Sequence, residues 1–237
     1  MLLSVAMPAY NEEGTVAVAV KRVLEVAYPC DIEVLVVDDG SKDGTARVLD
    51  GLTDPRLRVL RHSTNQGKTA AVRTAAEAAV GDYLIVCDAD LEYDPQEVPR
   101  LLGPILAGDA EIVYGTRTFG AHNSFSYLYV LGNRIVTLAV NVMFNVYLSD
   151  VETCFKLLPL DLYRQLGLRS SGFGMEPEIT AKLLRRRHRP YEVPISYRAR
   201  TREQGKKLRW TDGVQALAVI VGVRLTGEPL HLGAVRD

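Results

Sequence analysis

The sequence has few cysteines and no pattern that would pair them. Its 237 residues contain three cysteines, Cys30, Cys87 and Cys154, and no C-x-x-C motif. A disulfide framework needs an even set of cysteines, and a zinc site needs cysteine and histidine at short spacings. The sequence therefore predicts neither, and dispersed thiols indicate a reducing compartment such as the cytoplasm.

An excess of charge of either sign is also missing. There are 28 basic and 29 acidic residues, for a formal net charge of −1. Proteins that bind nucleic acid through their overall field carry a strong positive balance, so no nucleic-acid partner is predicted. Any basic site on this protein must be local.

Long uninterrupted hydrophobic runs are absent. Residues 1–10 lack a basic region and a long apolar segment, so we interpret them as a first strand and not as a signal peptide. Residues 214–223 are too few to cross a bilayer, and the run 125–148 is interrupted by Asn133, Arg134, Asn141 and Asn145. No membrane span is predicted, although peripheral contact stays open.

Several common catalytic motifs are missing as well. No G-x-G-x-x-G follows a predicted strand, and there is no P-loop, which argues against a dinucleotide-binding fold of the usual kind and a P-loop nucleotidase. The four histidines form no metal-ligand pattern and no grouping with serine and aspartate. We therefore predict no nucleophilic triad.

What the chain does contain is a repeated alternation of strand and helix patterns. Hydrophobic content is 47%, enough for one core, and we expect a single domain over residues 1–237. Near-continuous apolar strands joined by helices predict an α/β fold with a mainly parallel sheet and helices on both faces. Strands are predicted at 2–7, 32–37, 57–61, 83–87 and 111–114, and helices at 15–27, 45–52, 68–79, 97–106 and 125–147.

The strand at 83–87 ends in three acids, Asp88, Asp90 and Glu92. Carboxylates at alternate positions are suitable ligands for Mg²⁺ or Mn²⁺, with coordination sites left for water and substrate phosphates. The alternative is a set of solvated acids in a turn. The position of the acids at the end of a predicted buried strand favours the metal site.

Three more polar loops follow predicted strands: PAYNEE at 8–13, DDGS at 38–41 and NQGK at 65–68. Taken singly, DDGS is better explained as a turn and helix cap, and NQGK as an ordinary helix start. The carboxyl ends of parallel strands share one edge of a sheet, so the four loops are expected to converge on one crevice. There they offer acceptors for a base and ribose, and Lys68 at a helix N-terminus for phosphate.

The motifs PAYNEE, VVDDGSKDGT, NQGKTAAVRTA and DADLEYDP occur in this order and spacing. The series resembles the inverting GT-A glycosyltransferases of family 2, particularly polyprenyl-phosphate sugar transferases such as dolichyl-phosphate mannose synthase. The resemblance implies a Rossmann-like GT-A fold, a nucleoside-diphosphate sugar donor, and Mg²⁺ or Mn²⁺ as cofactor. It also divides the chain into a nucleotide-sugar-binding half, 1–118, and an acceptor and closing-loop half, 119–237.

The resemblance assigns site residues by motif position. Those that would hold the nucleotide sugar are Pro8, Tyr10, Glu12, Val37, Asp39, Asp88 and Ala89. Asp88, Asp90 and Glu92 would surround the metal, where Glu92 replaces the glutamine often found in the family. Arg200 and Lys206 match a mobile loop that grips the nucleotide diphosphate.

The second half carries the expected acceptor residues. Gly115-Thr116-Arg117 resembles the family's G-S-R element, so Arg117, with Arg134, is expected to bind an anionic acceptor. A solvated helix face is the alternative for Arg134. Asp150 begins a D-x-x-T-G-F-K-like element in which Cys154 replaces the usual glycine. Asp90, Asp150 and Arg117 are the predicted catalytic residues, although Asp150 is either a general base or a turn cap.

Three features keep more than one interpretation. The helix at 125–147 either packs as core or lies in a membrane interface, presenting Tyr127, Leu131, Leu138 and Phe144 to lipid. The basic cluster 185–189 either complements a helix C-terminus or meets a membrane. Glu176 and Glu178 either favour a helix start or face a sugar.

Together these observations predict a metal-dependent inverting glycosyltransferase that acts on a polyprenyl phosphate at the cytoplasmic face of the membrane. One alternative is a soluble enzyme that glycosylates a small-molecule hydroxyl or amine. Another is a nucleotide-sugar-binding protein without turnover, which the acid cluster disfavours.

Overall fold

The structure is a computed structural model in which residues 1–123, 126–199 and 210–230 are described. The strands are β1 Leu2–Ala9, β2 Asp31–Asp38, β3 Leu57–Arg61, β4 Tyr83–Val86, β5 Val113–Thr116, β6 Lys156–Pro159 and β7 Tyr191–Pro194. The helices are α1 Val16–Leu24, α2 Thr45–Asp50, α3 Lys68–Ala78, α4 Val98–Leu106, α5 Tyr127–Phe144, α6 Leu160–Leu166, α7 Met175–Arg185 and α8 Trp210–Thr226. Short 3₁₀ turns lie at Pro95–Glu97 and Gly172–Gly174.

Within the described ranges, the strands form one seven-stranded sheet in the order β3-β2-β1-β4-β6-β5-β7. Strands β3, β2, β1 and β4 run parallel to one another, and β5 and β7 form another parallel pair. Strand β6 runs antiparallel to both β4 and β5. Seven successive residues of β2 are buried, which requires cover on both faces of the sheet. The predicted α/β class with a mainly parallel sheet is confirmed.

The elements of the first half match the sequence patterns, and strand β3 has the predicted bounds. Helix α4 begins one residue later than predicted, after the 3₁₀ turn Pro95–Glu97. Strands β6 and β7 and helix α6 were not predicted. Each of these strands ends in a proline, Pro159 or Pro194, which counts against a strand in a sequence pattern. The sequence indicates α8 only in part, as the apolar stretch 214–223.

Hydrogen bonds join the loops at the carboxyl edge of the sheet. The Asn11 amide donates to the Ser41 hydroxyl at 3.0 Å, and the Asn11 side-chain oxygen accepts from the Lys42 amide at 2.8 Å. Asn11 adopts a left-handed backbone with φ 55°, a conformation that asparagine tolerates better than most residues. The loops after β1 and β2 therefore form one wall.

Helix α5 packs on the protein along one narrow face only. Val136, Thr137 and Val140 are buried, and the first and last of these belong to a small core shared with Leu184 of α7 and Ile220 of α8. A single stripe of its other surface is apolar and exposed: Tyr127, Leu128, Leu131, Ile135, Leu138 and Val142. Of the two interpretations of this helix, packing as core thus holds for one face, and Phe144, which was expected to face lipid, packs against the small core.

Helix α5 bears on the prediction that no segment spans a membrane. Tyr127–Phe144 has 18 residues, of which 17% are buried, and by length and composition it could cross a bilayer despite Asn133, Arg134 and Asn141. Length and composition alone are weak evidence for a span.

The turn after β2 makes a stability test possible. Gly40 has φ +70°, and a Cβ there would lie 2.6 Å from the backbone carbon of Thr64. We expect Gly40→Ala to cost about 1–3 kcal/mol of unfolding free energy, or more if the Thr64 backbone cannot move. Urea unfolding measures the loss.

Gly14→Ala is the matched control, because no atom lies within 4 Å of a Cβ at Gly14. It should change stability by less than about 0.5 kcal/mol. Equal effects of the two substitutions would contradict the close approach of the two loops.

Candidate active site

Asp39 organises the loops on the nucleotide side of the crevice. Its carboxylate accepts hydrogen bonds from the backbone amides of Gln66 and Gly67, at 2.9 and 2.7 Å, and contacts His62 Nδ1 at 2.6 Å. The residue is only 2% exposed. Asp39 thus ties the loop after β2 to the start of α3, and both its oxygens already have protein partners.

Lys68 begins α3 and joins three parts of the chain. Its ammonium donates to Asp88 at 2.8 Å and to Glu176 at 2.9 Å, and lies 3.8 Å from Cys154 Sγ. Burial would lower the pKa of Lys68, but Asp88, Cys154 and Glu176 raise it well above its usual value. Lys68 is therefore a fixed cation beside the acid motif, suited to hold a phosphate.

The three acids after β4 do not form one metal cluster. The Glu92 carboxylate accepts a hydrogen bond from the Tyr197 hydroxyl, and Asp90 accepts from the Glu92 amide at 3.0 Å. Within the described ranges no group of three or more histidine, cysteine, aspartate or glutamate side chains is placed to hold a metal ion. The predicted ligand set of Asp88, Asp90 and Glu92 is therefore not brought together.

Asp88 and Asp90 still suit a hard cation. Mg²⁺ is often bound by one or two carboxylates and completed by water and substrate phosphates, so two aspartates two positions apart fit such a site. Leu91 between Asp90 and Glu92 has φ 64°, and this turn separates Glu92 from the pair. The metal assignment stays a prediction, now on two acids.

A buried ion pair forms the opposite wall. Arg117 Nε and Nη2 donate to the two Asp150 oxygens, each at 2.7 Å, and the Arg117 amide donates at 3.1 Å. Asn133 of α5 adds a fourth hydrogen bond at 2.9 Å. Asp150 is fully buried and the Arg117 side chain is 18% exposed. The pair joins the end of β5, helix α5 and the segment before β6.

The contacts of Asp150 argue against a role as a general base. Burial would raise the pKa of Asp150, but the Arg117 guanidinium and the hydrogen bonds hold it below its usual value. A base must accept a proton from the acceptor and needs a free lone pair. Four donors occupy this carboxylate, so we interpret Asp150 as the residue that positions Arg117.

Aromatic side chains support the guanidinium. Arg117 lies over the Tyr197 ring, 5.0 Å from its centroid, and Tyr93 packs against Tyr197 with ring centroids 5.0 Å apart. The Tyr93 hydroxyl accepts a hydrogen bond from the Cys154 amide at 3.0 Å. Cys154 stands where the family usually has glycine. It is not among the described residues with positive φ, so its backbone conformation does not require glycine.

Glu152 and Lys156 are two ionisable residues that the sequence analysis did not select. Burial and then the nearby Glu176 raise the pKa of Glu152 to about 8, and burial lowers that of Lys156 to about 8. Lys156 donates to the Val151 and Thr153 carbonyls. Glu152 is half-buried, and no hydrogen bond to its carboxylate is found in the described part of the chain. Such perturbed groups are common in active sites.

The remaining predicted site residues lie in different parts of the structure. Pro8, Tyr10, Glu12 and Ala89 lie at the carboxyl edge, at the ends of β1 and β4. Val37 is fully buried in β2, so its side chain is part of the core, and Arg134 is exposed on α5. Arg200 and Lys206 lie outside the described residues.

Asn133 and Tyr197 are site residues that sequence reasoning missed. In the sequence, Asn133 stands out only as an interruption of the apolar run 125–148. The spacing Asn133, Thr137 and Asn141 places polar residues on one helical face, and this signal indicates a buried polar contact. Tyr197 carries no local signal, because its role depends on Glu92 and Arg117 from distant strands.

Comparison with known proteins agrees with this geometry. The family described as "Glycosyl transferase family 2" matches residues 4–167. The hexosyltransferase Agl6 of low-salt glycan biosynthesis from Haloferax volcanii is 30% identical over 205 residues, which are 85% of this chain and 49% of Agl6. A dodecaprenyl-phosphate galacturonate synthase from Rhizobium johnstonii is 34% identical over 48% of this chain and 36% of that protein. The chain thus spans about half the length of Agl6 and 36% of the galacturonate synthase.

Solved structures show the same fold. Glucosyl-3-phosphoglycerate synthase from Mycobacterium tuberculosis, crystallised with Mn²⁺, uridine diphosphate and phosphoglyceric acid, superposes with a TM-score of 0.70. The match covers 94% of this chain and 78% of that one at 20% identity. At this identity the likeness concerns the fold alone, which confirms the GT-A architecture.

The ion pair predicts a pH-dependent loss of stability. Asp150→Asn leaves the buried Arg117 charge without a counter-ion and should cost about 3–5 kcal/mol near pH 7. Because the folded-state pKa of Asp150 is lowered, its stabilisation is complete above the ordinary value near 3.9 and disappears as the pH falls through the lower folded value. The difference between variant and wild type should therefore shrink below about pH 4.

Urea unfolding at neutral and acidic pH measures both effects. Asp109→Asn, at an exposed position, serves as the control and should have little effect at either pH. A loss under 1 kcal/mol for Asp150→Asn at pH 7 would show that the pair does not hold the site together.

Proposed function

The chain belongs to Glycosyl transferase family 2, and on this basis we propose that it transfers a sugar from a nucleoside-diphosphate sugar to a polyprenyl phosphate. The observation that carries the proposal is the way in which Arg117 is held. Its Nε and Nη2 are fixed by Asp150, and no hydrogen bond to Nη1 is found in the described part of the chain. A guanidinium held on one edge and open on another is suited to orient a phosphate.

The relatives support the choice of acceptor. One is named a dodecaprenyl-phosphate galacturonate synthase, and another, from Pectobacterium carotovorum, an undecaprenyl-phosphate 4-deoxy-4-formamido-L-arabinose transferase. The latter is 36% identical over 42% of this chain and 32% of its own length. The exposed apolar stripe belongs to the same helix, α5, as Asn133, which bonds Asp150, and it is consistent with an acceptor that resides in a membrane.

The donor would occupy the edge with Tyr10, Glu12 and Asp39, and its diphosphate would lie near Lys68. Asp88 and Asp90 would hold a divalent cation, which neutralises charge on the leaving diphosphate. Lys68 donates to the same Asp88 carboxylate that the cation would use, so cation binding would release Lys68 toward phosphate. Solved structures of similar fold contain Mn²⁺ or Mg²⁺ with uridine diphosphate, which supports this arrangement.

The acceptor then attacks the anomeric carbon directly. A phosphate monoester is largely deprotonated near neutral pH, with a second pKa around 6, so attack needs orientation and no enzymic base. Arg117 supplies that orientation. One displacement inverts the anomeric centre, and the nucleoside diphosphate leaves with the bonding electron pair.

A hydroxyl acceptor remains the second candidate because of Glu152. Such an acceptor does need a base, and a carboxyl group with a pKa near 8 close to Arg117 is tuned for proton transfer. Glu152→Gln should then abolish transfer to a hydroxyl acceptor. With a polyprenyl phosphate the same substitution should leave a substantial rate.

A test of the function combines a donor panel with two acid substitutions. UDP- and GDP-sugars are assayed with a short-chain polyprenyl phosphate, and the anomeric configuration of the product is determined by NMR. We expect an inverted product that requires Mg²⁺ or Mn²⁺, and a loss of activity of about 100-fold or more for Asp90→Asn.

Glu92→Gln is the matched control, since the Glu92 carboxylate is bonded to Tyr197 and the family often has glutamine there. It should retain most of the activity. Transfer that survives both EDTA and Asp90→Asn would exclude the metal site, and a retained configuration would exclude the single displacement.

A second test concerns the acceptor phosphate. Arg117→Lys keeps the charge but loses the paired hydrogen bonds, so the acceptor KM should rise about 10- to 100-fold while the donor KM changes little. Arg134→Ala, at an exposed position of α5, tests the second predicted acceptor residue and should have a smaller effect.

Steady-state kinetics with each substrate varied separately make the comparison. If donor and acceptor KM rise equally for Arg117→Lys, Arg117 does not orient the acceptor. If Arg134→Ala has the larger effect, the acceptor phosphate lies nearer α5.

A further inference from the structure

The basic cluster 185–189 divides into two groups with different contacts. Arg185 donates to the Val223 carbonyl at 2.8 Å, and Arg186 donates to the Gln165 carbonyl at 2.7 Å. These two arginines stabilise packing between elements. Arg187 and Arg189 are exposed, and across the described residues neither side chain makes a hydrogen bond or ion pair.

The unpaired arginines line a cavity at the C-terminal end of α5. Its volume is about 340 Å³, and its walls combine three apolar residues with three basic ones. The lining residues are Phe144, Val146, Leu184, Arg187, His188 and Arg189. Phosphate oxygens suit the basic wall, and aliphatic or acyl groups suit the apolar wall.

The nearby charges leave this end of the helix positive. Arg224 lies over the Phe144 ring, 5.7 Å from its centroid, and donates to the Met143 carbonyl at 3.1 Å. The acid close to the cavity is Glu111, whose carboxylate lies 3.5 Å from His188 Nδ1. An anion in the cavity can therefore bind Arg187 and Arg189, because no carboxylate in the described part of the chain is paired with either side chain.

The cavity lies on the core-facing side of α5. Phe144 follows Val136 and Val140 at a spacing of four residues, so it shares their side of the helix, and the exposed apolar stripe lies on the other side. From Asn133, which bonds Asp150, to Phe144 is roughly 16 Å along the axis. The cavity is thus separate from the acceptor site.

We propose that this cavity binds the phosphate headgroup of an anionic membrane lipid and thereby holds the C-terminal end of α5 at the membrane surface. A free phosphate would use only the basic wall and would leave the apolar wall exposed to water. A lipid covers both walls, because its headgroup meets the arginines while its acyl region meets Phe144, Val146 and Leu184. The site goes beyond the proposed transfer reaction and does not involve the acceptor.

The test is sedimentation with vesicles of phosphatidylcholine alone or with about one-third phosphatidylglycerol. Wild type should bind the anionic vesicles more tightly. The double substitution Arg187→Gln and Arg189→Gln should weaken that binding about 10- to 30-fold, the effect of two arginines near an anionic surface. Replacing both arginines by lysine should restore most of it.

Lys21→Gln with Arg73→Gln is the matched control. Both residues are exposed, in α1 and α3, and the pair removes the same net charge. The control should bind vesicles as wild type does, and metal-dependent donor hydrolysis should be unchanged in both double variants. Hydrolysis is measured without lipid, so a failure of the proposed function is distinguished from a failure of the lipid site.

Three results would overturn the proposal. Equal losses in the two double variants would mean that only net charge matters. Displacement of the protein from vesicles by millimolar glycerol phosphate would identify a site for soluble anions. Absence of vesicle binding together with concentration-dependent dimerisation in sedimentation velocity would assign the stripe to a protein contact.

Discussion

The buried pair of Arg117 and Asp150 is the constraint on which the wall of the crevice formed by β5, α5 and the segment before β6 depends. A charge this deep cannot remain without a partner, because removing one member of a buried pair costs several kcal/mol. Arg117 comes from the end of β5, Asp150 from the segment before β6, and Asn133 from α5. The three elements can satisfy the pair in few arrangements, so its geometry fixes how they meet. Arg117 is therefore positioned before any acceptor arrives.

The donor side uses the same principle with another cation. Lys68 connects Asp88 after β4 with Glu176 at the start of α7, so one ammonium links the acid motif to the second half of the chain. On the proposed function, a diphosphate at Lys68 competes with two carboxylates, and a metal ion at Asp88 removes one of these competitors. Donor and metal would then favour each other's binding, by ordinary linkage.

Helix α5 connects this site with the surface. Its polar positions Asn133, Thr137 and Asn141 make hydrogen bonds to the segment 148–151, which contains Asp150. Its opposite stripe is apolar and exposed. One helix thus supports the ion pair with one face and offers the other to an apolar environment. A change in how the stripe is covered would act on the part of the fold that holds Arg117.

Local patterns predicted the first half of the protein well because each of its strands and helices carries its own signal. Strand β3 and the start of α3 are correct to the residue, and the four polar loops converge because parallel strands end at one edge. The family resemblance rested on the same local motifs.

The second half depended on contacts between distant residues. Strands β6 and β7 are short, and β6 enters the sheet between β4 and β5, a position that depends on pairing with strands 40 or more residues away. The motif containing Asp150 was recognised, but its role as the partner of Arg117 was not, since a hydrogen-bonding role depends on which side chains surround the carboxylate.

The sequence by itself determined the fold class, the family and the crevice, because the alternation of strands and helices and the polar loops follow from patterns of a few residues. Only the tertiary structure decided that Asp150 positions Arg117, that Glu92 turns to Tyr197 and that α5 exposes its apolar stripe. Each of these results from burial and charge pairing between segments dozens of residues apart, and no periodicity along the chain records such pairing.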